Sequence, residues 1–233
     1  MIPLRHTLPL RKLPYVNRGL VAINLAAFVI EVLIGPKAEG VIRTFGFIPA
    51  RLLAPAAYGY APWEVAVTLV SSLFLHGGFV HLIGNMIYLW VFGGAVEEAV
   101  GHGSYLGLYL GCGIAGSLTH TLFFPHSIAP SIGASGSIAG ILGALLVLRP
   151  QARIVTLFPL VVYWAMAEIP APVFIPVWFA LQFFNGLLSL AAAQGTQDVA
   201  MIAWWAHIGG FAVGLLAGSY FRLARRKGTM RTA

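Results

Sequence analysis

Charge is what this sequence has least of. Only 9% of its 233 residues are Asp, Glu, Lys or Arg, whereas a soluble domain carries about 25%. A fold of this size needs a charged surface to stay in solution, so an ordinary soluble domain is excluded. Cysteine is nearly absent as well. Cys112 stands alone and cannot close an internal disulfide, so it says nothing about compartment. It lies among Gly and Leu and reads as a small packing residue. Residues 1–17 lack the apolar stretch of a cleavable leader and carry Arg5, Arg11, Lys12 and three prolines. The first apolar run is therefore expected to stay in the membrane as a signal anchor. No His-Glu-x-x-His motif and no cysteine pair occurs. His76, His81 and His207 could in principle form a three-histidine zinc site. That reading leaves Asn85 and a Gly-Ala-Ser-Gly run unexplained, so no metal and no cofactor are expected. The net charge of +7 sits at the chain ends and in one loop, not on an aromatic-rich helix face. Nucleic acid is not an expected partner.

What the chain does have is apolar length. Hydrophobic residues make up 59% of it, and the mean hydropathy is +0.85. Many of the 27 glycines fall inside apolar runs, as in membrane helices whose backbones approach closely. Roughly 20 apolar residues cross a bilayer. Six spans are read at about 18–35, 79–96, 104–124, 135–149, 172–192 and 204–222. The fold class is thus an all-α polytopic membrane protein, with the bilayer as its surroundings. Its membrane domain is 18–222, between short basic tails at 1–17 and 223–233. Two stretches are ambiguous. Residues 36–78 form a proline-punctuated connection with an apolar part at 65–75. Residues 154–169 are apolar but interrupted by Pro159 and stopped by Glu168 and Pro170. Both read as segments partly in the membrane or its interface, with a seventh span at 154–169 as the alternative.

Six spans with both ends inside place eleven of the 14 Lys and Arg on the inner side. Only Lys37, Arg43 and Arg51 fall outside, which is the bias expected of cytoplasmic flanks. In that orientation the second, fourth and sixth spans run the same way. His81 and Asn85, Ser135, and His207 then lie at similar depth near the outer face.

Polar groups inside spans are costly and therefore functional candidates. Ser135, in Gly133-Ala134-Ser135-Gly136, reads either as a helix N-cap or as a nucleophile at a tight turn, where first-turn N–H groups can hold an oxyanion. His207 reads as a core histidine or as the base that activates the serine. His81 and Asn85, at i and i+4, share a face and read as helix glue or as oxyanion donors. His76 reads as a structural residue that orients its loop. Gly210, Gly214 and Gly218 line one face of the sixth span, and Gly136, Gly140, Gly143 and Ala144 lie on the fourth. Two small-residue faces allow close helix contact, which would bring His207 to Ser135.

Four runs together resemble the rhomboid family. They are Phe74-Leu75-His76-Gly77-Gly78-Phe79-Val80-His81-Leu82-Ile83-Gly84-Asn85-Met86, Phe92-Gly93-Gly94-Ala95-Val96-Glu97, Gly133-Ala134-Ser135-Gly136, and Ala206-His207-Ile208-Gly209-Gly210-Phe211-Ala212-Val213-Gly214. The resemblance covers about 63–222. It implies a six-helix rhomboid-like bundle with a membrane-associated first loop at 36–78. It implies a serine endopeptidase, an intramembrane hydrolase with a catalytic Ser135–His207 dyad. His81, Asn85 and the Ser135 N–H would form the oxyanion hole. Glu97 would bond between helices at the inner end of the second span, and the fifth helix would be a lateral gate. The expected partners are transmembrane protein substrates with a helix-destabilised segment near the outer interface. Two positions depart from the family pattern. A Trp-Arg pair of the first loop is replaced by Trp63-Glu64. An aromatic one turn after the serine is replaced by Ala139, leaving Trp205 as the expected support for the His207 ring. The rival functions are a catalytically inactive rhomboid-like binding module and a transporter; no internal repeat supports the latter. A prokaryotic plasma membrane, with both termini cytoplasmic, is the expected location.

Overall fold

Backbone polar groups must be satisfied within the segment wherever water is absent, so long apolar runs become helices. The computed structural model describes residues 1–159, 164–192 and 203–227. In chain order it has β1 (Ile2–His6), α1 (Tyr15–Ile34), α2 (Ala38–Phe45), α3 (Pro49–Leu53), α4 (Pro62–Ser71), α5 (Phe79–Val100), α6 (His102–Phe123) and α7 (Ser135–Leu148). Then follow β2 (Arg153–Pro159), β3 (Trp164–Pro170), α8 (Ala171–Ala192) and α9 (Trp204–Arg226). Each expected span overlaps one helix: α1, α5, α6, α7, α8 and α9. Among the described residues, four segments are long and apolar enough to cross a membrane: Tyr15–Phe45, Phe79–Val100, His102–Phe123 and Ala171–Leu190. The chain is therefore a predominantly helical polytopic membrane protein. Helix α7 has 14 residues, about 21 Å of rise, which is less than the roughly 30 Å hydrocarbon core. Gly136 to Leu145 are all buried, so α7 meets protein on every side.

The described parts of 154–169 are not helical and supply no seventh helical span, while 160–163 lie outside the described residues. Those parts are strands β2 and β3, paired antiparallel from Arg153↔Pro170 to Pro159↔Trp164. β1 adds on the other side of β2, from Ile2↔Leu157 to His6↔Ile154. Ile154, Val155 and Thr156 are β-branched, which favours strand. Ile154 and Thr156 alternate inward and are fully buried. Glu168, which breaks the apolar run, pairs across the hairpin with Arg153 at 2.7 Å. Residues 2–6, read from the sequence as part of a tail, thus have a sheet partner 150 residues away. The outer end of the C-terminal tail, 228–233, lies outside the described residues.

The connection 36–78 is a chain of short helices, with Pro49 and Pro62 opening α3 and α4 as N-terminal prolines do. The tightest packing is among α6, α7 and α9. A Cβ on Gly210 would strike the Gly136 carbonyl, one on Gly214 the Gly140 carbonyl, and one on Gly218 the Ala144 backbone. Cys112 is fully buried and fills the hollow over Gly140. Glu97, also buried, accepts the Val16 N–H at 3.0 Å and the Asn17 N–H at 2.7 Å, and contacts His102 Nδ1 at 2.5 Å. Its carboxylate satisfies first-turn amides of α1 and ties α1, α5 and α6 together at one end.

Candidate active site

Gly133 precedes α7 with φ +114, a backbone conformation that suits only glycine. A Cβ there would also press on the His81 ring, at 2.7 Å, and on Asn85 Nδ2, at 3.4 Å. The missing side chain lets the turn settle against α5. Gly133 N–H donates to the Ser72 carbonyl at 2.8 Å, which anchors the turn to the segment before α5. Ser135 then opens α7, so its hydroxyl stands beside the N–H groups of a helix start.

Helix α9 delivers His207. Its Nε2 lies 2.8 Å from Ser135 Oγ, and its Nδ1 lies 2.8 Å from Gln182 Oε1 on α8. An amide oxygen can only accept, so Nδ1 carries the proton and Nε2 is the acceptor for the serine O–H. Trp204 meets the ring edge-on at 5.8 Å, and Trp178 of α8 lies at 6.3 Å. Trp205, expected to hold the imidazole, instead stacks on Phe123 at 3.5 Å. With only Ala139 one turn after the serine, support comes from α8, through Gln182 and Trp178. The sequence reading missed Gln182. The signal was present, because an amide in the middle of an apolar span is itself a functional candidate.

Asn85 is buried, and its Nδ2 has no hydrogen-bond partner among the described residues. Buried amide donors are rarely left so. His76 is buried with its ring edge against His81 at 5.1 Å. Among the described residues neither ring nitrogen has a hydrogen bond of good geometry. Its backbone N–H donates to Glu31 of α1 at 3.2 Å, which ties it to α1. Burial, and next the neighbouring His81, push the His76 imidazole down to about 4. It is therefore neutral at ordinary pH and serves as a wall behind His81. Among the described residues, no three His, Cys, Asp or Glu side chains converge where a metal could sit.

One face of the bundle thus brings Ser135, His207, His81, Asn85 and Gln182 together from four helices. Gly136, Gly210 and Gly214 make the α7–α9 approach possible, while Glu97 lies at the opposite end of α5. This is a membrane-embedded helical protein with a hydrogen-bonded serine–histidine pair at a helix start. The Rhomboid domain family matches residues 63–224, and the chain belongs to that family. It is 33% identical over 170 residues to the yeast "Rhomboid protein 1, mitochondrial" from Saccharomyces cerevisiae, covering 71% of this chain and 44% of that protein. It is 38% identical over 122 residues to "Rhomboid protease GluP" of Bacillus subtilis, covering 52% and 22% respectively. It is 35% identical over 116 residues to "RHOMBOID-like protein 5" of Arabidopsis thaliana, covering 50% and 35%. The chain spans less than half the length of each of these relatives. They include mitochondrial and bacterial proteins, so they support an integral membrane protein and do not single out the prokaryotic plasma membrane expected from the sequence.

If Gln182 sets the tautomer and orientation of His207, its loss acts on rate. Gln182→Leu is expected to lower kcat about three- to tenfold, the worth of one hydrogen bond of about 0.5–1.5 kcal/mol. KM and melting temperature should hold. An unchanged kcat would remove Gln182 from the site.

Proposed function

We propose that the chain is an intramembrane serine endopeptidase that cleaves segments of membrane-protein substrates with a Ser135–His207 dyad. The observation that carries this reading is the 2.8 Å contact between Ser135 Oγ and His207 Nε2, and Gln182 Oε1 at 2.8 Å from Nδ1 supports the acceptor role of Nε2. Serine is a weak nucleophile until a neighbouring base takes its proton. Ser135 Oγ attacks the scissile carbonyl carbon while His207 Nε2 accepts the hydroxyl proton. The carbonyl oxygen becomes an oxyanion. The Ser135 N–H and the Asn85 amide are its donors, and His81 lines the same pocket. His207 then returns the proton to the leaving amine, and the acyl group stays on Ser135 Oγ. Water, deprotonated by the same imidazole, releases it. A six-span bundle with both termini on the inner side fits the eleven-to-three distribution of Lys and Arg. It puts the dyad near the outer face, and α8 is the element that could admit a substrate sideways. Helix α8 contains Pro176, and only 28% of its most apolar window is buried.

A fluorophosphonate probe tests the chemistry directly. The full chain in detergent should be modified once, at Ser135, as read by peptide mass, and His207→Ala should not react. Absence of labelling would point to the inactive binding module instead.

Asn85→Ala separates oxyanion donor from helix glue. Losing one such donor costs about 2.7–4 kcal/mol in a soluble protease. The backbone donors and His81 remain, so we expect kcat to fall by roughly ten- to a thousandfold with KM nearly unchanged. Its Nδ2 has no partner to lose among the described residues, so melting temperature should hold. A lower melting temperature with wild-type kcat would place Asn85 in packing alone.

A further inference from the structure

A cleft of about 470 Å³ lies at the opposite end of the bundle from Ser135. Helices α5, α7 and α9 each give an early residue to the dyad region. Each also gives a terminal residue to this cleft: Glu98, Arg149 and Arg225. The three helices therefore run parallel, and the cleft lies at their inner ends. Its other wall is the strap of Leu8, Pro9, Leu10, Arg11 and Lys12. The strap presses onto α5 where Gly94 has no side chain, with Leu10 and Pro14 filling that space.

Four cations and one carboxylate line this cleft. Glu98 is already engaged by the Arg11 backbone N–H at 3.3 Å. The ion pairs among the described residues are Arg43–Glu39, His102–Glu97 and Arg153–Glu168; none includes Arg11, Lys12, Arg149 or Arg225. Among the described residues Arg149 Nε is buried without a hydrogen-bond partner, and Arg225 lies within electrostatic range of both Arg149 and Glu98. A guanidinium does not shed its charge, so a buried unpaired donor between like charges calls for an anion. Leu8, Pro9, Leu10 and Ala95 give the same cleft an apolar side.

We propose that this cleft binds the phosphate of an anionic phospholipid, with Arg149 and Arg225 as its principal ligands and Arg11 and Lys12 at the mouth. Basic pockets between membrane helices on the inner side suit such headgroups. The apolar strap suits the glycerol and first acyl carbons, which free phosphate lacks. The site is independent of the serine chemistry and rests only on its own residues and on the inner placement of the basic flanks.

The test uses the full chain in neutral detergent, titrated separately with dioctanoyl phosphatidylglycerol, dioctanoyl phosphatidylcholine and inorganic phosphate. Binding is read by the rise in melting temperature. Phosphatidylglycerol should bind saturably, and the other two much more weakly. Arg149→Gln with Arg225→Gln should weaken it about thirtyfold, two cations' worth at a membrane surface. Arg11→Gln with Lys12→Gln keeps the test open should the first pair fold poorly, and should also weaken binding. Arg43→Gln with Arg51→Gln, in the first loop, should not. Equal binding of phosphate and phosphatidylglycerol would overturn the lipid assignment. Unchanged binding in both cleft variants, or equal loss in the loop variant, would overturn the site.

Discussion

Replacing Ser135 by alanine is expected to abolish peptide-bond cleavage, with a loss of about ten-thousandfold or more. Alanine at His207 should do the same. The two side chains are joined by a hydrogen bond, Oγ to Nε2 at 2.8 Å, and in the proposed mechanism neither acts alone. Their losses should therefore not add: the double variant should be about as inactive as either single one. The fold should survive both changes. The Ser135 side chain is half-buried and the change removes a single hydroxyl oxygen, so it leaves little cavity. Ala134 and Gly133 set the entry into α7 through their backbone, whatever the hydroxyl does. The measurement is cleavage of a panel of single-span membrane proteins, with melting temperature taken on the same preparations. Residual cleavage by Ser135→Ala, or a double variant much worse than either single, would exclude the dyad.

The positions of the long helices were legible because apolar length is the strongest signal a membrane chain carries. The common depth of His81, Asn85, Ser135 and His207 was legible because parallel spans carry their first turns to one level. The pairing of β2 with β3 was not. Ile-Val-Thr-Leu-Phe is apolar on both faces, so neither a strand nor a helix period stands out. Its partner β1 lies so far away in sequence that nothing local announces the pairing. Gln182 escaped for a different reason. A lone amide in α8 marks a candidate position but names no partner until α8 is known to pass His207. Glu31 and Asn17 belong to the same class. Each sits in α1 and takes its role from a contact made by a distant segment, Glu31 with the His76 N–H and Asn17 with Tyr105 at 2.7 Å.

Gly214→Ala is expected to cost both stability and rate, although it touches no reacting atom. A Cβ on Gly214 would overlap the carbonyl oxygen of Gly140. That oxygen is backbone inside α7, and α7 is buried along most of its length, so it cannot turn aside as a flexible side chain would. The helices must part instead. Overpacking of this kind costs about 1–3 kcal/mol, sometimes more. Gly214 lies about two turns after His207 on α9, so parting there tilts the imidazole away from Ser135. A misplacement of about 1 Å in such a pair can cost a hundredfold in rate. We therefore expect a lower melting temperature and a kcat reduced about a hundredfold, with Ser135 and His207 unchanged. Gly111→Ala is the control. It lies within α6, and a Cβ there meets nothing within 4 Å, so the substitution should be neutral or slightly stabilising through helix propensity alone. Wild-type rate and stability in Gly214→Ala would mean that the small-residue contact between α7 and α9 does not hold the dyad together.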